Sequence, residues 1–243
     1  MDELTKQKLK KIVKESGSIV VLTGAGVSTK SNIPDFRGPE GIAATKHNYN
    51  LSYEEILSTS FFKSNPQVFY DFYWNHMVYK NAKPNLAHKI LAENEEKHKI
   101  KIVTQNIDGL HQAAGSKNVI ELHGNVSRYT CCKCGAHFSI KDIDNSGVPI
   151  CPKCGGIIKP DVTLYEEALD EDSINRAVLA MERSTLLIIA GTSMRVYPAA
   201  GLPYYFRGSH IILINNEETP FDRNADYVIH EDIGETLQTI FED

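Results

Sequence analysis

Residues 18–28 read SIVVLTGAGVS, and this stretch decides the fold. Its continuous apolar run is typical of a strand that is buried on both faces of a parallel sheet. The run leads directly into a loop of small residues, Gly24-Ala25-Gly26. We therefore interpret it as the first strand of an α/β domain, with the glycine loop at its carboxyl end.

Further apolar runs alternate with segments of helical periodicity. The alternation indicates a parallel α/β sheet. Leu4, Leu9, Ile12 and Val13 lie on about one face of the first helix, so we expect this face to pack on the sheet. The predicted strands are 18–23, 100–104, 119–122, 186–190, 210–215 and 227–229, and the predicted helices are 4–16, 84–97, 172–183, 198–206 and 234–241.

Composition excludes several classes of protein. The 243 residues include 26 basic and 31 acidic ones, which gives a net charge of −5. A mildly acidic chain is a poor candidate for nucleic-acid or anionic-membrane binding, so we expect neither partner. No apolar run has the roughly 18 residues of a membrane-spanning helix, and the polar start is unlike a secretory signal. We expect a cytoplasmic monomer.

Four cysteines form two CxxC pairs, Cys131/Cys134 and Cys151/Cys154, separated by residues 135–150. This spacing is typical of a tetrahedral zinc site, and the glycine after each pair permits a tight knuckle. Four thiolates leave no position for water, so the zinc would be structural. Two disulfides are the alternative, which a reducing cytosol disfavours. We interpret Cys132, inside the first pair, as a non-ligand.

Polar residues follow several predicted strands, at 104–111, 191–193 and 215–217. Parallel strands bind ligands at their carboxyl ends, so these clusters favour a binding site there. By itself, the glycine loop fits either a dinucleotide's phosphates or an ordinary tight turn, because its third position is Thr29 rather than glycine. Aromatic residues at helical spacing in 66–80 fit either a lid or plain core packing.

Several motifs together resemble the sirtuin family. They are the glycine loop, Ile33-Pro34-Asp35-Phe36-Arg37, the run 104–111 (TQNIDGLH), His123-Gly124, the two CxxC pairs and Gly191-Thr192-Ser193. The resemblance implies an NAD-dependent protein-lysine deacylase, with a Rossmann-like domain (1–38, 83–125 and 161–243), a helical lid module (39–82) and an inserted zinc ribbon (126–160). In the implied reaction the acyl oxygen attacks the nicotinamide ribose, nicotinamide leaves, and free lysine and O-acetyl-ADP-ribose are formed.

The resemblance also assigns roles to residues. His123 would be the general base, and Asn106 would share in catalysis while holding the nicotinamide ribose. His111 falls in a motif, but we interpret it as structural. The acyl-lysine substrate would contact Phe36, Ile107, Val162, Thr163 and Tyr165. NAD would be bound by Gly24, Ala25, Gly26, Ser28, Asp35, Phe36, Arg37, Gln105, Asn106, Ile107, Asp108, His123, Gly191, Thr192, Ser193, Asn215, Asn216 and Ile233.

Three positions depart from the usual family pattern. Glu166 stands in place of a glycine beside the peptide groove, which puts peptide preference in doubt. Asn32 replaces a frequent glycine, and asparagine tolerates positive φ. No arginine occurs in 39–82 to pair with an acidic acyl group, so we expect acetyl or other uncharged acyl groups.

Two other functions compete with deacylation. An NAD-dependent protein ADP-ribosyltransferase would use the same NAD site. A catalytically inactive NAD-sensing or zinc-ribbon module would lack Asn106 or His123, and both residues are present.

Overall fold

The computed structural model describes residues 1–35 and 51–242, and a six-stranded parallel sheet lies at its centre. The prediction of a parallel α/β sheet is therefore confirmed. The strands are β1 (Ile19–Thr23), β2 (Lys101–Thr104), β3 (Val119–Glu121), β7 (Leu186–Ala190), β8 (His210–Ile214) and β9 (Tyr227–Ile229). Their order across the sheet is β3-β2-β1-β7-β8-β9.

Every residue of β1 and β7 is buried, as their apolar runs predicted. Successive side chains point to opposite faces of the sheet, so one strand supplies two cores. Ile19 and Val21 belong to one hydrophobic cluster, and Val20 and Leu22 belong to the other. Helices cover both faces of the sheet, which explains why β1 carries no polar alternation.

Nine α-helices form in the described residues, and most lie where periodicity predicted them. Leu4 is 62% exposed, so the buried face of the first helix is narrower than predicted. The nine α-helices of the described residues are α1 (Glu3–Glu15), α2 (Tyr53–Ile56), α3 (Thr59–Ser64), α4 (Pro66–His76), α5 (Leu86–Glu93), α6 (Glu95–His98), α7 (Leu110–Ala113), α8 (Glu171–Arg183) and α9 (Ile233–Phe241).

Two predicted helices differ in detail. The segment 84–97 divides at Asn94, whose side-chain amide donates to the Ile90 carbonyl oxygen at 2.9 Å and competes with the backbone ladder. The segment 198–206 forms a 3₁₀ helix over Ala199–Tyr205 rather than an α-helix. Proline has no N–H to donate, so Pro203 removes an α-helical hydrogen bond inside this segment.

A smaller antiparallel sheet holds the cysteine-rich segment and is more regular than its sequence predicted. Its strands are β4 (Gly124–Cys131), β5 (His137–Ser139) and β6 (Ile158–Val162), in the order β5-β4-β6. Helices α2 to α4 pack on this sheet, and the Tyr70 hydroxyl donates to the carbonyl oxygen of Ile158. The aromatic stripe of α4 is therefore core packing, since Phe69, Tyr70, Phe72 and Tyr73 are buried.

The helical segment and the ribbon thus share one hydrophobic cluster. Strands β4 and β6 cross the predicted boundaries at 125/126 and 160/161, and the division into three parts stays a prediction. Within the described residues, no helix has the length and apolar character needed to cross a membrane.

Candidate functional site

A cleft opens at the carboxyl ends of β1 and β7. Strand order reverses between these two neighbours, because β2 and β3 lie on one side and β8 and β9 on the other. Ligands bind at such a switch point in open parallel sheets. The cleft has a volume of about 1470 Å³. A single small-molecule site occupies roughly 300–1000 Å³, so this cleft has room for a dinucleotide and part of a second ligand.

The cleft brings together almost all of the residues that the sequence assigned to the cofactor and the substrate. Phe36 and Arg37 lie outside the described residues. The others line the cleft, and they are Gly24, Ala25, Gly26, Ser28, Asp35, Gln105, Asn106, Ile107, Asp108, His123, Val162, Thr163, Tyr165, Gly191, Thr192, Ser193, Asn215, Asn216 and Ile233.

The glycine loop packs tightly against the end of β7. Gly26 N donates to the Gly191 carbonyl oxygen at 2.8 Å. A Cβ on Gly24 would lie 2.7 Å from the same oxygen, and one on Gly26 would lie 2.8 Å from Gly191 Cα. Two 3₁₀ turns follow the loop, Ala25–Val27 and Thr29–Ser31, the second ending at Asn32 with φ 61°. The glycines therefore allow two loops to meet at the floor of the cleft.

We expect Gly191→Ala to destabilise the protein by about 1–3 kcal/mol and to raise the KM for NAD. Gly191 has φ +61°, and a Cβ there would lie 2.5 Å from Val27 N, so the glycine loop has to move. Urea unfolding and an NAD titration measure the two effects. The matched control is Gly115→Ala, at φ +109° with no atom within 4 Å of the added Cβ. Equal effects in the two variants would show that backbone strain alone is responsible.

Asn106 and Asp108 meet at a shared hydroxyl group. Asn106 Nδ2 donates to Ser28 Oγ at 3.1 Å, and Ser28 Oγ donates to Asp108 Oδ2 at 2.7 Å. The other carboxylate oxygen of Asp108 accepts from Leu110 N at 2.8 Å. These bonds fix the side chains of Asn106 and Asp108 at the cleft wall. Each carboxylate oxygen of Asp108 keeps a lone pair that can accept a hydrogen bond from a further donor.

Two more hydrogen bonds order the nucleotide side of the cleft. Gln105 Nε2 donates to Thr192 Oγ1 at 2.9 Å, which ties the end of β2 to the end of β7. Asn215 Nδ2 donates to the Glu217 carbonyl oxygen at 2.7 Å. Hydroxyl and amide groups of this kind suit a ribose and a diphosphate, so the residues present fit NAD.

A buried pair of histidines lies beneath this network. The His88 and His111 ring centroids are 4.8 Å apart, and His111 Nε2 lies 3.1 Å from Thr23 Oγ1. Burial lowers the pKa of His111 to about 3 and that of His88 to about 4, so both rings are neutral near pH 7. Sequence reasoning missed His88. Its position three residues after Asn85, the cap of α5, was the available signal.

His123 lies between the residues on the nucleotide side of the cleft and the opposite wall, which is lined by Val162, Thr163 and Tyr165. Its Nδ1 is 2.8 Å from the Gln105 carbonyl oxygen, and its own carbonyl oxygen accepts from Thr163 N at 3.0 Å. A carbonyl oxygen only accepts, so Nδ1 carries the hydrogen and Nε2 of the neutral ring has the lone pair. Burial lowers the pKa of His123 below 6.5, although the bond to Gln105 partly offsets this effect.

The predicted cysteines converge at one end of the ribbon. The sulfur atoms of Cys131, Cys134, Cys151 and Cys154 all lie within 4.8 Å of one another. The Cys131–Cys154 and Cys134–Cys151 pairs are 3.5 and 3.7 Å apart. A zinc–sulfur distance of about 2.3 Å gives tetrahedral sulfur–sulfur edges of about 3.8 Å, so the geometry fits. The four cysteines are positioned to bind one zinc ion.

The surroundings of the cluster agree with this interpretation. All five cysteines are free thiols, which excludes disulfides from the structure. Cys132 is exposed and lies outside the cluster, as predicted. Both knuckle glycines, Gly135 and Gly155, have positive φ. None of the four cysteines lines the cleft.

A switch-point cleft and a four-cysteine ribbon together define a dinucleotide-binding α/β protein with a structural metal site. Residues 24–198 match the Sir2 family, and the chain belongs to that family.

Relatives from several bacteria share nearly the whole chain. A protein named NAD-dependent protein deacetylase from Clostridium tetani is 54% identical over 242 residues, which cover 98% of each chain. One of the same name from Thermotoga maritima is 41% identical over 240 residues, covering 96% of this chain and 95% of the relative. A solved structure of a Sir2 protein with a p53 peptide and NAD⁺ has 39% identity and a TM-score of 0.85, covering 97% of each chain.

Proposed function

We propose that this protein is an NAD-dependent protein-lysine deacetylase in which His123 is the general base. Membership in the Sir2 family and relatives named for this activity support the reaction class. The observation that carries the assignment of His123 is its position, since its ring bonds to Gln105 and its backbone bonds to Thr163. One residue thereby touches both the proposed NAD side and the proposed peptide side of the cleft.

NAD would supply the ADP-ribosyl group that accepts the acetyl group, nicotinamide would be the leaving group, and one water molecule would be consumed as the free lysine amine is released. The chain's own residues orient the reactants and move one proton. Asn106 and Asp108, held through Ser28, orient the nicotinamide ribose and carboxamide. Nε2 of the neutral His123 ring takes a proton from a ribose hydroxyl. An acetyl-lysine peptide lies along Val162, Thr163 and Tyr165 as an added strand, because extended peptides bind to exposed backbone in this way.

We expect the acid limb of kcat/KM for an acetylated peptide to have its midpoint below about pH 6.5, the ordinary pKa of histidine. Burial lowers the pKa of His123, and only the neutral ring accepts a proton, so activity rises with pH through this pKa and is lost below it. Steady-state rates between pH 5 and pH 9 measure the profile. A midpoint above pH 7 would contradict a depressed pKa for the base.

Protein ADP-ribosyl transfer is the second candidate function. It would use the same NAD-binding residues, but the ADP-ribosyl group would pass to a protein side chain. The backbone bond between His123 and Thr163 favours deacetylation, because it places a base for the ribose hydroxyl next to the residues along which an acetyl-lysine peptide would lie.

Mass spectrometry of an acetyl-lysine peptide incubated with and without NAD tests the proposal. Loss of acetyl only with NAD, with nicotinamide and O-acetyl-ADP-ribose formed together, is the expected result. Nicotinamide release with the acetyl group retained and ADP-ribose on protein would favour the second function.

Lys80 and Lys141 also line the cleft, so a succinyl-lysine peptide belongs in the same assay. We expect it to react more slowly than the acetyl peptide.

A further inference from the structure

The segment after β6 forms part of the cleft wall, and it is pinned to the helical segment by backbone bonds. Tyr165 N donates to the Leu57 carbonyl oxygen at 3.0 Å, and Thr59 N donates to the Tyr165 carbonyl oxygen at 3.1 Å. Ser58 and Tyr165 therefore form a short parallel bridge. This bridge joins the proposed peptide wall to the start of α3.

Glu166 follows the bridge and has an unusual backbone conformation. Its φ is 75°, in the left-handed region that glycine adopts readily and a glutamate rarely adopts. Such a residue persists only where its surroundings determine its conformation strongly. The constraint on Glu166 is visible in its side chain.

Both carboxylate oxygens of Glu166 bind one residue of α3. Ser60 N donates to Oε2 at 2.9 Å, and Ser60 Oγ donates to Oε1 at 2.8 Å. Hydrogen bonds to a charged group are stronger than those between neutral groups. The adjacent Glu167 stabilises the same segment internally, because its Oε2 accepts from Leu164 N at 2.9 Å and from Lys159 Nζ at 3.1 Å.

We propose that Glu166 is a positioning residue that pre-forms the peptide wall by fastening it to Ser60. This role rests on the proposed deacetylase function. An extended peptide binds along this wall more tightly if the backbone of the wall is already in place, because a loose wall would have to become ordered on binding. The left-handed backbone at Glu166 is the local cost of a side chain that can reach α3.

Three variants separate the effect of the hydrogen bonds between Glu166 and Ser60 from the effects of the charge and of the backbone strain. Glu166→Gly relieves the strain but removes both hydrogen bonds. Glu166→Gln removes the charge but keeps both bonds, because its carbonyl oxygen accepts from Ser60 N and its amide donates to Ser60 Oγ. Ser60→Ala removes the hydroxyl bond and leaves the backbone bond.

Steady-state kinetics with acetylated peptides of basic, neutral and acidic sequence form the first readout. We expect Glu166→Gly to raise the peptide KM by about threefold to tenfold for all three sequences. The kcat at saturating peptide and the KM for NAD should stay within about twofold of wild type, because the catalytic residues are untouched. Glu166→Gln should resemble wild type, and Ser60→Ala should be intermediate.

Amide hydrogen exchange is the second readout, and it does not depend on activity. We expect faster exchange at Thr59 and Tyr165 in Glu166→Gly than in wild type or Glu166→Gln. An unchanged peptide KM in Glu166→Gly would overturn the proposal. A peptide KM that rises in Glu166→Gln for basic peptides alone would also overturn it, because Glu166 would then recognise the charge of the peptide. If wild type deacetylates no peptide, the proposed function fails, and the peptide role of Glu166 falls with it.

Discussion

The His123→Ala variant is expected to fold normally and to lose about 10²- to 10⁴-fold in the kcat of deacetylation, the usual contribution of a general base. The neutral ring with its lone pair on Nε2 is removed, and alanine has no group that could accept the proton. Single-turnover deacetylation measures the chemical step, and NAD titration checks that the cofactor still binds.

The matched control for this variant is His137→Ala. His137 is an exposed histidine on β5 whose Nδ1 lies 3.0 Å from Thr130 Oγ1, and it does not line the cleft. We expect it to keep wild-type activity. A His123→Ala protein with near-wild-type turnover would remove His123 from the role of base. Loss of activity together with loss of the thermal transition would show a structural role instead.

Removing the zinc, or one of its ligands, is expected to unfold the ribbon and the helices packed on it. A structural zinc site contributes about 10–16 kcal/mol in small zinc-binding domains, which is as large as the whole stability of a typical domain. Cys131 and Cys151 are also buried within the cluster that holds Tyr70, Tyr73 and Tyr129, so damage spreads beyond the ribbon.

Cys151→Ala and Cys132→Ala are a matched pair for this test. Both remove a thiol from the ribbon, but only Cys151 belongs to the four-cysteine cluster. We expect Cys151→Ala to lose bound zinc and the cooperative melting transition, and Cys132→Ala to keep one zinc per chain. Zinc analysis and circular dichroism with and without a chelator measure both. Unchanged melting of the chelated wild type would show that the metal is not needed for the fold.

Local patterns in the chain were enough to predict the main parts of the fold. The spacing of four cysteines, the apolar run before the glycine loop and the polar strand ends are all features of short segments. Strand ends of a parallel sheet converge at one edge, so Gln105 and Thr192 could be placed in one site before their contact was known. Sequence patterns predicted the helices less accurately at Pro203, where proline removes a backbone donor, and at Asn94, where a side-chain amide competes for a backbone carbonyl oxygen.

Tertiary structure alone decided the contacts between segments that are remote in the chain. Periodicity assigned the aromatic residues of α4 to a helix, but only packing showed that they share a core with the ribbon. The tautomer of His123 depends on the Gln105 carbonyl oxygen. The tie from Glu166 to Ser60 depends on a backbone angle and on a partner 106 residues away. The partner of a side chain depends on the whole fold, because it can come from any part of the chain. The spacing of metal ligands and the order of apolar and polar residues along a strand can be recognised within short segments of the sequence.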